Sequence, residues 1–438
     1  MTVLASIFLD LAPLTPATGF YFAVLLAVAL FVKFGRLLSI RNWDVLTLFL
    51  PIPGLLLLLE PNGDPRWGYL ALLGAALYFF VRCLFDLTLV QRPALSPNLT
   101  LGGLLCLACG LFVSLTVPLR LTPAPPEDKK VTPAGEAVRR PVEDLLRSQP
   151  ELTPESEVEA WSQRCLALAC HLAVAVALVV VGRVHFEDVS AGAAAATLYL
   201  LLPCTHLLMP SGALAAGRWD HAWPMVWLTW AVVAYRRPAV SGALLGVAAG
   251  SAIFPVLVLP VWLSFYHRRG GVRFVTSFVA AAAICLLVLA IPIWLNGELP
   301  RSLRSAWTDS NWQPWREPLP DTHGVWQGIH WAYRFPVFLV FAAFVLTTLF
   351  WPWPKNLAHV LALTAAVLIG IQFWYADRGG VYVLWYLPYL LLLVFRPNLS
   401  ACRPPPPTGT DWLSRLAAGV RRLVARWLRL PETERVRG

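Results

Sequence analysis

Residues Tyr235–Arg269 read YRRPAVSGALLGVAAGSAIFPVLVLPVWLSFYHRR. Two arginine pairs, Arg236–Arg237 and Arg268–Arg269, bracket a stretch with no Asp, Glu, Lys or Arg. One membrane crossing needs roughly 20 residues and two need about 40, and this stretch fits neither. Arginines beside apolar spans favour the cytoplasmic side, so the chain between the pairs is expected to enter the membrane and return. Pro255 removes a backbone donor and crowds the preceding turn, and Pro260 adds a second break. The spacing predicts two short helices meeting in a V near Phe254–Pro255, against the competing geometry of one long tilted helix. Such broken backbone is tolerated only against protein or a wet cavity. Gly242, Gly246 and Gly250 recur every four residues, a smooth stripe that invites close approach of a neighbouring helix.

The rest of the chain has the same character. It is 58% hydrophobic and only 14% charged, where a soluble domain is about 45–50% apolar and about 25% charged. The reading is an all-α, multi-pass transmembrane helical bundle. About eleven full spans are expected, near 16–34, 44–60, 67–88, 101–119, 162–182, 191–209, 222–235, 273–294, 335–351, 357–374 and 381–395, in addition to the broken pair. The net charge of +10 reads as topology and attraction to anionic membrane lipid, and no nucleic-acid partner is implied. The eight cysteines fall mostly inside apolar runs. Cys106 and Cys109 have CxxC spacing but no second pair or nearby His, so small residues packing between helices are the favoured account. No Lys or Arg precedes Lys33, so the first apolar run reads as a retained anchor and not a signal peptide.

Basic residues set the expected orientation. Lys33, Arg36, Arg41, Arg92, Arg183, Arg236, Arg237, Arg268, Arg269, Arg273, Lys355 and Arg396 fall on one side if the N-terminus is outside and the C-terminus cytoplasmic. The chain then divides into N-terminal transmembrane helices (1–120), a polar extracytoplasmic loop (121–160), a transmembrane core (161–396) with an outer loop at 295–334, and a cytoplasmic tail (397–438). The polar loop is rich in Pro and Glu and nearly without aromatics. In the tail, RPPPP is a stiff spacer. Trp412, Leu413, Leu416, Val420, Leu423, Val424, Trp427 and Leu428 then follow helical spacing against arginines at 415, 421, 422, 426 and 429, a basic amphipathic helix for a membrane surface.

The run from Gly182 to Leu263 carries a resemblance. It contains a basic turn, Gly182-Arg183, an Ala-rich span ending at Pro203 or Pro210, and a corner, Gly217-Arg218-Trp219-Asp220. A span, a basic turn with Pro and the glycine helix Gly242–Gly250 follow, then a Pro and a second short helix. This order resembles the core of GT-C-fold glycosyltransferases that use polyprenyl-phosphate sugars, family 87, the mannosyltransferase-like group, being nearest. Where that family's glycine helix often ends in a lysine, this chain has Gly250-Ser251-Ala252. The resemblance implies a GT-C-like core at 161–396 in a plasma (inner) membrane, and sugar transfer at the outer face from a polyprenyl-phosphate-linked donor, with no cofactor and no metal.

Such transfer needs a base for the acceptor hydroxyl and cations for the phosphate leaving group. The candidate bases are Asp220, Asp128 and Glu127. The competing reading of Asp220 is a cap for the helix that follows it, and that of Glu127 and Asp128 is solvated linker charge. Candidate substrate-binding residues are Arg218, His221, Arg301, Arg304, Trp312, Trp315 and Arg334. Arg316 is a further cation in the same loop, where Trp307, Trp326, Trp331 and Tyr333 also crowd. Aromatic faces suit sugar rings, and they also gather at membrane interfaces. His323 and His330 match no strong metal spacing. Arg82 and Asp86 lie one helical turn apart and are expected to pair. Two other function classes stay open: a transporter or flippase of lipid-linked substrates, since broken helices also build transport sites, and a catalytically inactive membrane scaffold.

Overall fold

The computed structural model describes residues 16–60, 62–89, 95–116, 155–206, 219–267, 269–295, 297, 300, 311–320 and 322–405, and the backbone alone of 155–160, Asp220 and Pro292. All regular structure among them is helical. The helices are α1 (Pro16–Phe31), α2 (Ile40–Thr47), α3 (Pro51–Leu59), α4 (Pro65–Asp86), α5 (Leu101–Ser114), α6 (Glu155–His185), α7 (Val189–Leu201) and α8 (Pro203–His206). They continue as α9 (Trp219–Val233), α10 (Pro238–Ser251), α11 (Leu259–Tyr266), α12 (Gly271–Leu295), α13 (Trp331–Thr347), α14 (Leu357–Trp374) and α15 (Leu387–Phe395).

Among the described residues, five stretches are long and apolar enough to cross a membrane: Ile40–Leu59, Pro65–Asp86, Trp161–His185, Gly271–Leu295 and Leu357–Trp374. Six more helical stretches are apolar but span 10–17 residues. The expected span near 381–395 is instead a 3-10 turn, Val383–Trp385, followed by the nine-residue α15. Gly379 and Gly380 loosen the chain ahead of it, and Pro388 fits only a first helical turn. The expected span near 44–60 falls within the candidate span Ile40–Leu59, which is broken internally into α2 and α3 at 48–50, ahead of Pro51.

Burial divides the helices. In α14, 89% of the apolar window is inside the molecule, and in α12 only 6%. Val279, Ile284, Leu286, Leu287, Val288 and Ile291 of α12 all face outward. A surface of that extent is untenable in water and natural in hydrocarbon. The chain is thus a helical membrane protein, with α14 and α15 at its centre and α12 at its lipid-facing rim.

The stretch between the arginine pairs folds as the V. Helix α10 ends at Ser251, Ala252 is extended, the turn Phe254–Val258 is 3-10, and α11 runs back. The two ends meet: Tyr266 Oη donates to the Tyr235 carbonyl at 2.6 Å. A single tilted helix would hold these residues far apart, so that geometry is excluded. The glycine stripe faces α12. A methyl group at Gly242 or Gly246 would overlap the carbonyl oxygen of Phe274 or Phe278, and one at Gly250 would come within 2.6 Å of Cys285 Cβ. Where lipid removes the hydrophobic incentive, such close van der Waals contact holds helices together.

Hydrogen bonds gather the basic residues at one end. Arg41 Nη1 donates to Val394 O, Arg269 Nη1 to Pro404 O, and Lys355 Nζ to Ser264 Oγ. Lys33 Nζ donates to Asn98 Oδ1, and Arg236 Nε to Tyr235 Oη. This basic end is opposite the tip of the V.

Candidate functional site

Around the tip of the V lies a nest of aromatic rings. Phe254, placed there by the helix break, stacks on Trp385 with centroids 4.0 Å apart and planes at 12°. Tyr382 stacks on the same indole at 4.3 Å and 17°. Trp312 lies nearly parallel to it at 6.5 Å, and Tyr375 fills the gap, 4.5 Å from Trp312 and 5.7 Å from Tyr382. From α9, His221 packs 5.2 Å from Tyr382. Four separate chain segments thus converge on Trp385. Phe254, Tyr382 and Trp385 are buried, whereas His221, Trp312 and Tyr375 are only partly buried and form the rim.

The nest contains polar hydrogens without acceptors. The indole Nε1 atoms of Trp385 and Trp374 are buried and meet no partner among the described residues. Buried donors are normally satisfied. Here they sit among flat apolar faces, a combination suited to a ligand with both a hydrophobic face and oxygen acceptors, as a sugar ring has. Burial pushes the Tyr375 phenol above its usual range, so Tyr375 acts as a neutral donor or acceptor.

A carboxylate stands at the same end. Asp377 is half-exposed, accepts the His323 backbone N–H at 3.3 Å through Oδ1, and lies 3.8 Å from Arg378 Nε. Arg378 has φ +52°, a left-handed conformation uncommon outside glycine. Its N–H donates to the His323 carbonyl, which ties the 322–330 loop to the 375–380 turn. The sequence reading missed Asp377 and Arg378. Their signal was a polar ADRGG between two apolar runs, which breaks the continuity of an otherwise plausible span.

The residues singled out from sequence distribute as follows. His221 and Trp312 are in the nest. The backbone of Asp220 lies in the first turn of α9, between buried Trp219 and His221, where the helix dipole favours a carboxylate. Trp315 is exposed. Arg334 is buried in α13, and its Nη2 donates to the carbonyls of Gln313 and Arg316 at 2.7 and 2.9 Å. It fastens the loop that carries Trp312, and its Nε and Nη1 meet no partner among the described residues. Asp128, Glu127, Arg218, Arg301 and Arg304 lie outside the described residues, as do Gly217, Trp307 and the tail helix. His330 pairs with Glu317 at 3.2 Å in the exposed loop, and Trp326 Nε1 donates to Phe373 O at 3.0 Å.

The expected Arg82–Asp86 pair exists, at 3.4 Å, but each residue has a stronger partner elsewhere. Arg82 grips Asp44 with two bonds of 2.8 and 2.9 Å, and Asp86 takes Arg396 at 2.7 and 2.9 Å. Sequence spacing shows only neighbours on one helix, and these partners come from other helices.

No family model matches the chain, and neither does any curated protein or any solved structure.

Proposed function

We propose that this chain is an integral membrane glycosyltransferase with about eleven spans and a GT-C-like core at 161–396. It moves a sugar from a polyprenyl-phosphate donor to an acceptor at the outer face of a plasma membrane, with its N-terminus outside and its basic end cytoplasmic. The observation that carries the reading is the aromatic nest at the tip of the V, with unpartnered indole N–H groups of Trp385 and Trp374 inside it and a carboxylate at its edge. Aromatic faces receive the apolar face of the sugar or the isoprenoid, and the free donors receive hydroxyl or phosphate oxygens.

In this mechanism a carboxylate takes the proton of the acceptor hydroxyl as the oxygen attacks the anomeric carbon, and the polyprenyl phosphate leaves. Asp377, at the edge of the nest, is the base favoured by position, with Asp220, Asp128 and Glu127 as further candidates. Arg378, together with Arg218, Arg301 or Arg304, offsets charge on the leaving phosphate. Binding energy from the lipid tail, held along the apolar rim, orients the reacting carbon.

The test is transfer from radiolabelled polyprenyl-phosphate sugars by purified, lipid-reconstituted protein. The expected result is transfer by the wild type and its loss in Trp385→Leu and in Asp220→Asn or Asp377→Asn. Undiminished transfer in all the carboxylate variants, Asp128→Asn and Glu127→Gln included, overturns the mechanism. Absence of transfer from every common sugar donor overturns the function.

A further inference from the structure

Two connections at the basic end expose large apolar side chains. The first, 32–39, joins α1 to the start of α2. Phe34, Leu37, Leu38, Ile40 and Trp43 along it are all exposed, Leu38 at 86%. The second, 348–356, joins α13 to α14. Phe350 is exposed at 76%, and Trp351 and Trp353 are exposed beside it. Single apolar side chains on a surface need no explanation, but grouped ones mark a contact.

Both connections are held in shape from inside. In the first, buried Asn42 accepts the Lys33 N–H at 3.0 Å through Oδ1, and its Nδ2 donates to the Lys33 and Arg36 carbonyls at 3.0 Å each. Asn98 Nδ2 donates to the carbonyls of Ala29 and Val32 at 2.9 and 3.1 Å. The Asn98 N–H donates to the Leu30 carbonyl at 2.7 Å. In the second, Lys355 Nζ donates to the Pro352 carbonyl at 3.1 Å and Ser264 Oγ to the Leu349 carbonyl at 2.6 Å. Irregular backbone can leave water only where such internal partners satisfy its polar groups. Here internal donors satisfy these carbonyls, and the apolar side chains are displayed from fixed backbone.

The occupant that fits is the boundary between lipid headgroups and acyl chains. Trp43, Leu46 and Leu50 are exposed at helical spacing, so the apolar strip begun in the first connection runs on along the candidate span Ile40–Leu59. Aromatic residues gather at that boundary, and both connections supply them. Lys33 and Arg36 are exposed among the apolar residues of the first, and basic residues at a bilayer surface attract anionic lipid.

We propose that 33–43 and 350–353 are seated in the headgroup boundary of the bilayer at the basic end, with Lys33 and Arg36 drawing anionic lipid to the first. The contact is independent of the aromatic nest, which lies at the opposite end.

The test uses the full chain, its exposed native cysteines replaced, in bilayers of equal phosphatidylcholine and phosphatidylglycerol. A fluorophore is attached through Leu38→Cys, Phe350→Cys or Ser400→Cys, all at exposed positions. One lipid at a time carries bromines on its acyl chains. The expected result is strong quenching at 38 and 350 and weak quenching at 400, in the segment that follows α15. At 38 brominated phosphatidylglycerol should quench more than brominated phosphatidylcholine, and Arg36→Gln should cut that preference about fivefold. Quenching at 38 and 350 no stronger than at 400 overturns the proposal. Shielding of position 38 from both brominated lipid and aqueous iodide assigns the surface to protein, a second copy or another part of this chain, and overturns it as well. Equal quenching at 38 by the two lipids overturns the role of Lys33 and Arg36.

Discussion

Tyr266 and Tyr235 stand at the two ends of the V, 31 positions apart, and the phenol of one donates to the backbone carbonyl of the other at 2.6 Å. Both side chains are fully buried. The bond closes the loop that carries Phe254 to the aromatic nest, so the geometry of the nest depends on a contact at the opposite end of the same two helices. Tyr266→Phe keeps the ring and leaves that carbonyl without its donor. The expected cost is about 1–3 kcal/mol, read as a lower thermal midpoint in detergent. An unchanged midpoint would mean that the packing of α10 on α12 alone holds the V shut.

That packing gives a second prediction. Gly246→Ala places a methyl against the Phe278 carbonyl and Ala281. Backbone cannot give way as a flexible side chain does, so overpacking of about 1–3 kcal/mol is expected. Gly74→Ala in α4, where a methyl meets nothing within 4 Å, is the matched control and should be neutral or slightly stabilising. Similar loss in both would show that close approach to Phe278 is not the cause.

Lys355 predicts a pH dependence. It lies between α13 and α14, is almost fully buried, and donates to Ser264 Oγ at 2.9 Å and Pro352 O at 3.1 Å. Burial pushes its ammonium down to about 8 from an ordinary 10.5. Between those values the unfolded chain binds more protons than the folded one, so stability rises with pH from about 8 to about 10.5. Below about pH 8 the buried charge costs on the order of 1–3 kcal/mol. Lys355→Met removes the titrating group, so the difference in midpoint between wild type and variant should shrink steadily across that window. A constant difference would remove Lys355 as the cause.

The proposed orientation is open to labelling. Glu317, beside the nest, and Arg36, at the basic end, are both exposed. With the exposed native cysteines replaced, a membrane-impermeant maleimide on intact cells should modify Glu317→Cys and spare Arg36→Cys. Ser264 is a poor reporter, since it is buried against Leu349 and Lys355. The reverse labelling pattern would invert the topology and move the nest to the cytoplasmic face.

At the nest, Asp377→Asn should lower sugar transfer by about 10²–10⁴-fold if Asp377 is the base, with little change in thermal midpoint, because its carboxylate is partly exposed and holds a long bond to His323 and a long ion pair to Arg378. Loss of stability in parallel with activity would assign Asp377 to holding the 322–330 loop.

The sequence by itself determined the helical membrane character, because apolar runs and flanking charges are local properties. It also determined the V: two prolines, a glycine stripe and a length that fits neither one crossing nor two leave the chain few alternatives. The clustering of basic residues at one end was legible for the same reason. Only the tertiary structure decided who pairs with whom. Arg82 and Asp86 look like partners on one helix, yet Asp44 and Arg396 arrive from elsewhere in the chain and make the shorter bonds. Trp385 and Phe254 are 131 positions apart, and nothing in their neighbourhoods names the other. Asp377 hid in what read as the approach to a span, until the structure broke that span into a turn and the short α15. Periodicity and composition act along the chain, whereas a site is built from segments that packing brings together across it.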